Sequence, residues 1–136
     1  MTLTARGAIV PLVLALAAVA AAPTAIASPT PEPPYISVVS WSTDTLRVVP
    51  TPAGRELAGE LGKPWAAADK AWLEVVSLAP GADSPGMRAQ FVCHWRFAEF
   101  AEPGKDSWDL EPWRPLVDEN TMVLAGCNPG GPETGF

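Results

Sequence analysis

The chain has 136 residues, 48% of them hydrophobic, with nine basic side chains against fifteen acidic ones and a formal net charge of −6. Such a balance provides no basic patch to neutralise phosphates and no attraction to anionic membranes, so nucleic acid is disfavoured as a ligand. One histidine and two cysteines among scattered carboxylates form no recognisable set of metal ligands, and no metal or cofactor is expected.

The first 27 residues read as an export signal. Met1–Gly7 carries one positive charge, Arg6, and no acid; Ala8–Ala22 is an unbroken apolar run; Ala25-Ile26-Ala27 places small residues before a cut between Ala27 and Ser28. A spanning helix needs ~20 apolar residues, and this run has fifteen with Pro11 inside it. No cysteine lies near the cut to carry a lipid. The expected product is a secreted, extracellular chain, Ser28–Phe136, with no stable membrane insertion. Loss of Arg6 leaves eight basic residues against fifteen acids, a net −7 over 109 residues, which is one domain's worth. After export, Cys93 and Cys127 are expected to form one disulfide, contributing about 3–4 kcal/mol by restricting the unfolded chain.

Along the mature chain, residues 28–34 hold four prolines and read as a spacer, so the folded domain is expected over 35–129. Tyr35–Trp41 and Leu46–Val49, separated by Ser42–Thr45, outline a β-hairpin. Thr51-Pro52 reads as a helix cap followed by proline at the first helical position, with Gly62 as the stop. Pro64 opens a second helix, on which Trp65, Ala68, Trp72, Val75, Val76 and Ala79 form an apolar stripe expected to pack in the core. Pro80-Gly81 ends it. Met87, Ala89, Phe91, Cys93, Trp95 and Phe97 alternate with Arg88, Gln90, Val92, His94 and Arg96, which predicts a strand over 87–97 with Cys93 inward and His94 outward. Trp108–Pro115 contains two prolines that forbid a central strand or helix interior, so it is read as an ordered loop or edge segment. A short element is expected within Leu116–Ala125, and residues 130–136 as a loose tail.

His94 is the one side chain that titrates near neutrality. Ser107 with Asp109 or Glu111 lies nearest in sequence, but no nucleophile-elbow glycines surround Ser107. Asp109 and Glu111 sit on one strand-like segment and do not bracket a substrate as glycosidase carboxylates do. Their more ordinary role is to accept hydrogen bonds from Arg114, Lys105 or Arg96. Trp108 and Trp113, on an irregular segment, are the tryptophans expected at the surface.

Gly86-Met87, Gln90-Phe91-Val92-Cys93-His94, Lys105, Ser107-Trp108, Leu110-Glu111-Pro112-Trp113-Arg114-Pro115 and Cys127-Asn128-Pro129 together resemble a family of secreted actinobacterial proteins known only as a domain of unknown function. The resemblance spans Trp72–Pro129 most strongly. It implies export and a domain boundary, and no mechanism.

The expected fold is a small α+β domain: a mostly antiparallel sheet of three or four strands, with one or two helices on one face and the disulfide tying its central strand to the C-terminal segment. The expected function is a non-catalytic secreted binding domain for a cell-envelope polymer or an extracellular protein. Gln90, His94, Lys105, Trp108, Glu111, Trp113 and Arg114 are its candidate contact residues. The alternative is a small secreted hydrolase with His94 as general base and Glu111 as its orienting or acidic partner. A protease inhibitor ranks last, for want of a heavily bridged exposed loop.

Overall fold

Valine, isoleucine and threonine crowd the 36–50 segment, and in a computed structural model describing residues 32–132, with Thr2 and Gly7, that segment is a hairpin. Strand β1 (Ile36–Ser42) pairs antiparallel with β2 (Thr45–Pro50) through the two-residue connection Thr43-Asp44, where Thr43 takes the positive φ of 47° that tight hairpins demand. The third strand, β3 (Trp108–Leu110), pairs antiparallel with the other edge of β2, giving the order β1-β2-β3. Pro112 stops β3 after three residues, consistent with the edge segment expected there. The expected signal peptide 1–27 and its cut at Ala27/Ser28, residues 28–31 of the spacer and residues 133–136 of the tail lie outside the described residues, Thr2 and Gly7 apart. The rest belong to one compact unit, Pro31–Phe136.

Among the described residues, four α-helices accompany the sheet, rather than one or two: α1 (Pro52–Ala58), α2 (Trp65–Leu78), α3 (Pro85–Ala101) and α4 (Glu119–Leu124). Thr51 caps α1 by accepting from the Gly54 N–H, with Pro52 at the first helical position. Helix α1 ends at Gly59, three residues before the expected stop. A Cβ on Gly54 would lie 2.2 Å from the Tyr35 carbonyl oxygen, so only glycine lets α1 approach the start of β1 this closely. Pro64 opens α2 as expected, and Ala68, Trp72 and Val75 of its stripe are buried. Trp65, at the first residue of the helix, is 65% exposed and does not join the core.

The principal correction concerns residues 87–97, which form the middle of helix α3 and not a strand. Met87, Gln90, Phe91, His94 and Trp95 are all buried, a spacing of three and four that marks one helical face. Met87, Phe91 and Trp95 fit both a period of two and a helical stripe. What distinguishes the helix is that polar Gln90 and His94 share the buried face. Ser84-Pro85, capping the Met87 N–H, starts this helix in the manner of Thr51-Pro52. His94 is therefore inward, not outward, and the disulfide ties Cys93 of a helix, not of the central strand, to Cys127 just beyond α4, with Cα atoms 5.5 Å apart.

The core lies between the sheet and α2 and α3. Phe91 stands at its centre, with ring centroids 5.5 Å from Trp72, 5.9 Å from Trp108 and 6.2 Å from Trp95; Trp95 also meets Trp108 edge-on and Tyr35 at 5.6 Å. Leu46, Val48 and Leu110 complete it from the sheet. A smaller cluster of Cys93, Met122 and Cys127 joins α3 to α4. The last residues of the spacer reading are pinned to the domain. Glu32 pairs with Lys70, and Thr51 donates its hydroxyl to the Pro34 carbonyl.

Candidate functional site

The polar residues singled out from the sequence separate into two groups. Gln90 projects from α3 into the segment after β3, where its Nε2 donates to the Glu111 carbonyl at 2.8 Å and its Oε1 accepts from the Glu111 N–H at 2.9 Å. This two-bond clasp treats Glu111 as a strand neighbour would and satisfies both backbone groups in a dry interior. The Glu111 carboxylate accepts from Arg114 Nε at 2.6 Å and Nη2 at 3.1 Å, a bidentate pair in which both side chains are sealed from solvent. Arg114 Nη1 donates onward to the carbonyls of Pro129 and Gly131, at 3.2 and 2.7 Å. The first residues of the expected loose tail are thus held in place, with Pro129 fully buried.

Gln90, Glu111 and Arg114 therefore lock α3, the end of β3 and the C-terminal turn to one another, and none presents a contact surface. Trp108 is likewise fully buried against Phe91 and Trp95, contrary to its expected exposure. Trp113 is 44% exposed, with the Arg114 guanidinium 4.4 Å over its ring and its indole beside Gly130 and Gly131.

His94 lies one turn along α3 from Gln90. Its Nδ1 donates to the Gln90 carbonyl at 2.9 Å, because a carbonyl can only accept; the neutral ring then carries its lone pair on Nε2. A backbone oxygen thus stands where the orienting carboxylate of a catalytic histidine would, and both Glu111 oxygens are engaged by Arg114. The His94 Nδ1 and the two Glu111 carboxylate oxygens thus have partners other than each other. Ser107 donates to Asp109 at 3.1 Å, and Asp109 pairs with Arg47 at 3.5 Å rather than with Arg114, Lys105 or Arg96, the donors expected for it.

His94 instead lines a cleft of about 260 Å³ with Phe97, Ala98, Ala101, Lys105 and Val123 among its walls. Lys105, on the turn after α3, is paired with Glu102 at 3.6 Å. Two further clefts, of about 330 and 200 Å³, adjoin along the same helix. The half-buried Phe97 ring borders all three, and Trp65 borders the latter two. The Arg96 guanidinium lies 4.7 Å over the Trp65 ring and 4.9 Å over Phe97, while its Nη1 pairs with Glu119 of α4. Lys63 donates to the carbonyls of Ala58, Glu60 and Arg96, and burial lowers its pKa below the ordinary 10.5. Phe97, Trp65 and Phe100 are not among the candidate contact residues read from the sequence. A helical reading of 85–101 would have found the two phenylalanines, since Cys93, Phe97 and Phe100 run along one flank of the helix, bordering the buried stripe.

Among the described residues, no cluster of three or more His, Cys, Asp or Glu side chains is placed to hold a metal ion, and no helix is long and apolar enough to cross a membrane.

Residues 36–130 match a family described as a protein of unknown function, DUF2599. Uncharacterized proteins of Mycobacterium tuberculosis and Mycobacterium bovis are 51% identical over 112 residues, covering 79% of this chain and 74% of theirs. An uncharacterized protein of Mycobacterium leprae is 54% identical over 65 residues, covering 48% of this chain and 53% of that protein. No solved structure matches the chain.

Proposed function

The chain belongs to the DUF2599 family, and on that premise we propose that it is an exported, non-catalytic binding domain whose ligand is a cell-envelope polymer. The ligand lies along the outer flank of α3, across Phe97, with Trp65 at one end and His94 and Lys105 at the other. The observation that carries this reading is the meeting of three clefts at the Phe97 ring, walled by apolar side chains with a few polar groups at the margins. Clefts of that composition are the ordinary form of ligand sites. The exposed Trp65 indole, backed by Arg96, adds a flat apolar surface of the kind on which sugar rings stack. The leader expected at 1–27 supplies the compartment. The sealing of Glu111 against Arg114 weighs against the hydrolytic alternative.

Soluble fragments of cell-envelope polysaccharide, titrated against the mature protein and followed by backbone amide NMR shifts, test the reading. Shifts should concentrate on α3 residues 93–101 and on Trp65. Phe97→Ala should weaken binding roughly tenfold, as the loss of a central aromatic contact does. If no polysaccharide fraction shifts these residues, or Phe97→Ala binds unchanged, the reading fails; saturable binding of an extracellular protein at this face would replace the polymer as ligand.

A further inference from the structure

We infer that the open edge of β1 pairs with β1 of a second copy of this chain, the two hairpins joining about a twofold axis into one antiparallel six-stranded sheet. This surface is separate from the α3 flank and does not depend on the function proposed for it. In the order β1-β2-β3, β1 has a strand on one side only among the described residues, and Ser37–Ser42 are exposed apart from the half-buried Val39.

The hairpin determines which backbone groups face outward. With only Thr43 and Asp44 between them, Ser42 and Thr45 must exchange both backbone hydrogen bonds. Alternation makes Ser40–Arg47 and Val38–Val49 the next bonded pairs, so the N–H and C=O of Val39 and Trp41 point to the open side. The start of the edge is closed, because the N–H groups of Tyr35 and Ile36 donate to the Glu74 carboxylate at 2.7 and 2.9 Å. The available stretch is therefore Val38–Ser42. Open edges in monomeric proteins are guarded by lysine, proline, inward-pointing charge or a bulge. The register shift of β1 lies at its closed end, between Ile36 and Val38, and Val-Val-Ser-Trp-Ser carries no charge and no proline.

Self-complementarity selects a second copy as the occupant. With the twofold axis at Ser40, Val39 lies opposite Trp41 of the second copy and Trp41 opposite its Val39. Outward-facing groups then meet outward-facing groups and exchange four backbone hydrogen bonds. On the face carrying Val39 and Trp41, each Trp41, 44% exposed in the single chain, gains a β-branched cross-strand neighbour. On the other face Ser40 meets Ser40, and Val38, 52% exposed, meets Ser42. An acidic chain thus meets its copy along an uncharged strip, with no like charges opposed.

Sedimentation equilibrium on the mature protein, combined with two substitutions at exposed Ser40, tests this. The wild type should self-associate reversibly. Ser40→Cys should form a disulfide-linked dimer on mild oxidation, since directly opposed residues of a non-hydrogen-bonded pair stand ~4.5 Å apart at Cα, within disulfide reach. Val38→Cys, which faces Ser42, should not. Ser40→Lys sets two like charges opposite each other and should weaken association roughly three- to tenfold while leaving the melting of the monomer unchanged. A wild type monomeric at the highest concentration reached, equal crosslinking by the two cysteine variants, or an undiminished dimer in Ser40→Lys would each overturn the inference. So would a monomer that instead takes up an unrelated extended peptide along β1.

Discussion

Replacing Glu111 by Gln changes one oxygen to an amide nitrogen in a region with no solvent. Among the described residues, the Glu111 carboxylate is the one anion bonded to the Arg114 guanidinium, in a sealed site where both side chains have no exposed surface. The substitution leaves a buried cation beside a neutral amide, while Arg114 still donates to Pro129 and Gly131. Breaking a buried ion pair from one side costs about 3–5 kcal/mol, and since Gln keeps one acceptor oxygen the lower end, ~3 kcal/mol, applies. A domain of this size is stable by only ~5–15 kcal/mol. A loss of ~3 kcal/mol lowers the melting temperature by roughly 12–24 °C at the usual ~4–8 °C per kcal/mol. Thermal unfolding followed by tryptophan fluorescence measures it directly, because Trp72, Trp95 and Trp108 surround Phe91 in the core. A Gln variant melting within ~2 °C of wild type would show that the pair does not hold the fold, against the range expected for buried pairs. A variant equally stable but unable to bind would return Glu111 to the ligand site.

Two further outcomes follow from local geometry. Gly54→Ala forces a methyl group to within 2.2 Å of a backbone oxygen, so it should cost at least ~3 kcal/mol, the upper end of ordinary overpacking, and show as a fall in urea midpoint. Asp118 caps α4 by accepting from the side chain and backbone N–H of Thr121, which holds its carboxyl below the ordinary 3.8. A carboxyl lowered in the folded state contributes stability that is complete above 3.8 and disappears as pH falls through the lowered value. Protection of the Thr121 amide, its exchange rate taken relative to an unstructured amide at the same pH, should fall in that acid range in wild type and be low and flat with pH across it in Asp118→Ala.

Much of the architecture is written locally. The hairpin is visible in its β-branched arms, and Thr51-Pro52 and Pro64 mark two helix starts because capping and fixed φ act within a few residues. The same signal stood at Ser84-Pro85. It lost to an apparent alternation because Met87, Phe91 and Trp95 satisfy both periods, while Gln90 and His94 carry polarity on the buried face. A pattern that scores polarity as exposure cannot register a glutamine whose amide is consumed by the backbone of Glu111, 21 residues away. Trp65 failed as a core residue for a different reason: it opens α2 and is left mostly in solvent while Trp72, two turns further on, is buried.

The sequence by itself determined what is short-range: two strands, two helix starts, the edge character of Trp108–Leu110, and a disulfide whose partner is settled because there are only two cysteines. The tertiary structure alone decided which polar side chains are spent. Arg114 meets Glu111 three residues away but the Pro129 and Gly131 carbonyls fifteen and seventeen away, and those partners exist only once the C-terminal turn has closed over α3. Residues that looked like a recognition motif proved to be the lock of the fold, since charge and amide groups are stable in a dry interior only when fully paired. The surface left to the proposed ligand adjoins the same side of α3, where Phe97 follows Gln90 by two turns and His94 lines the cleft.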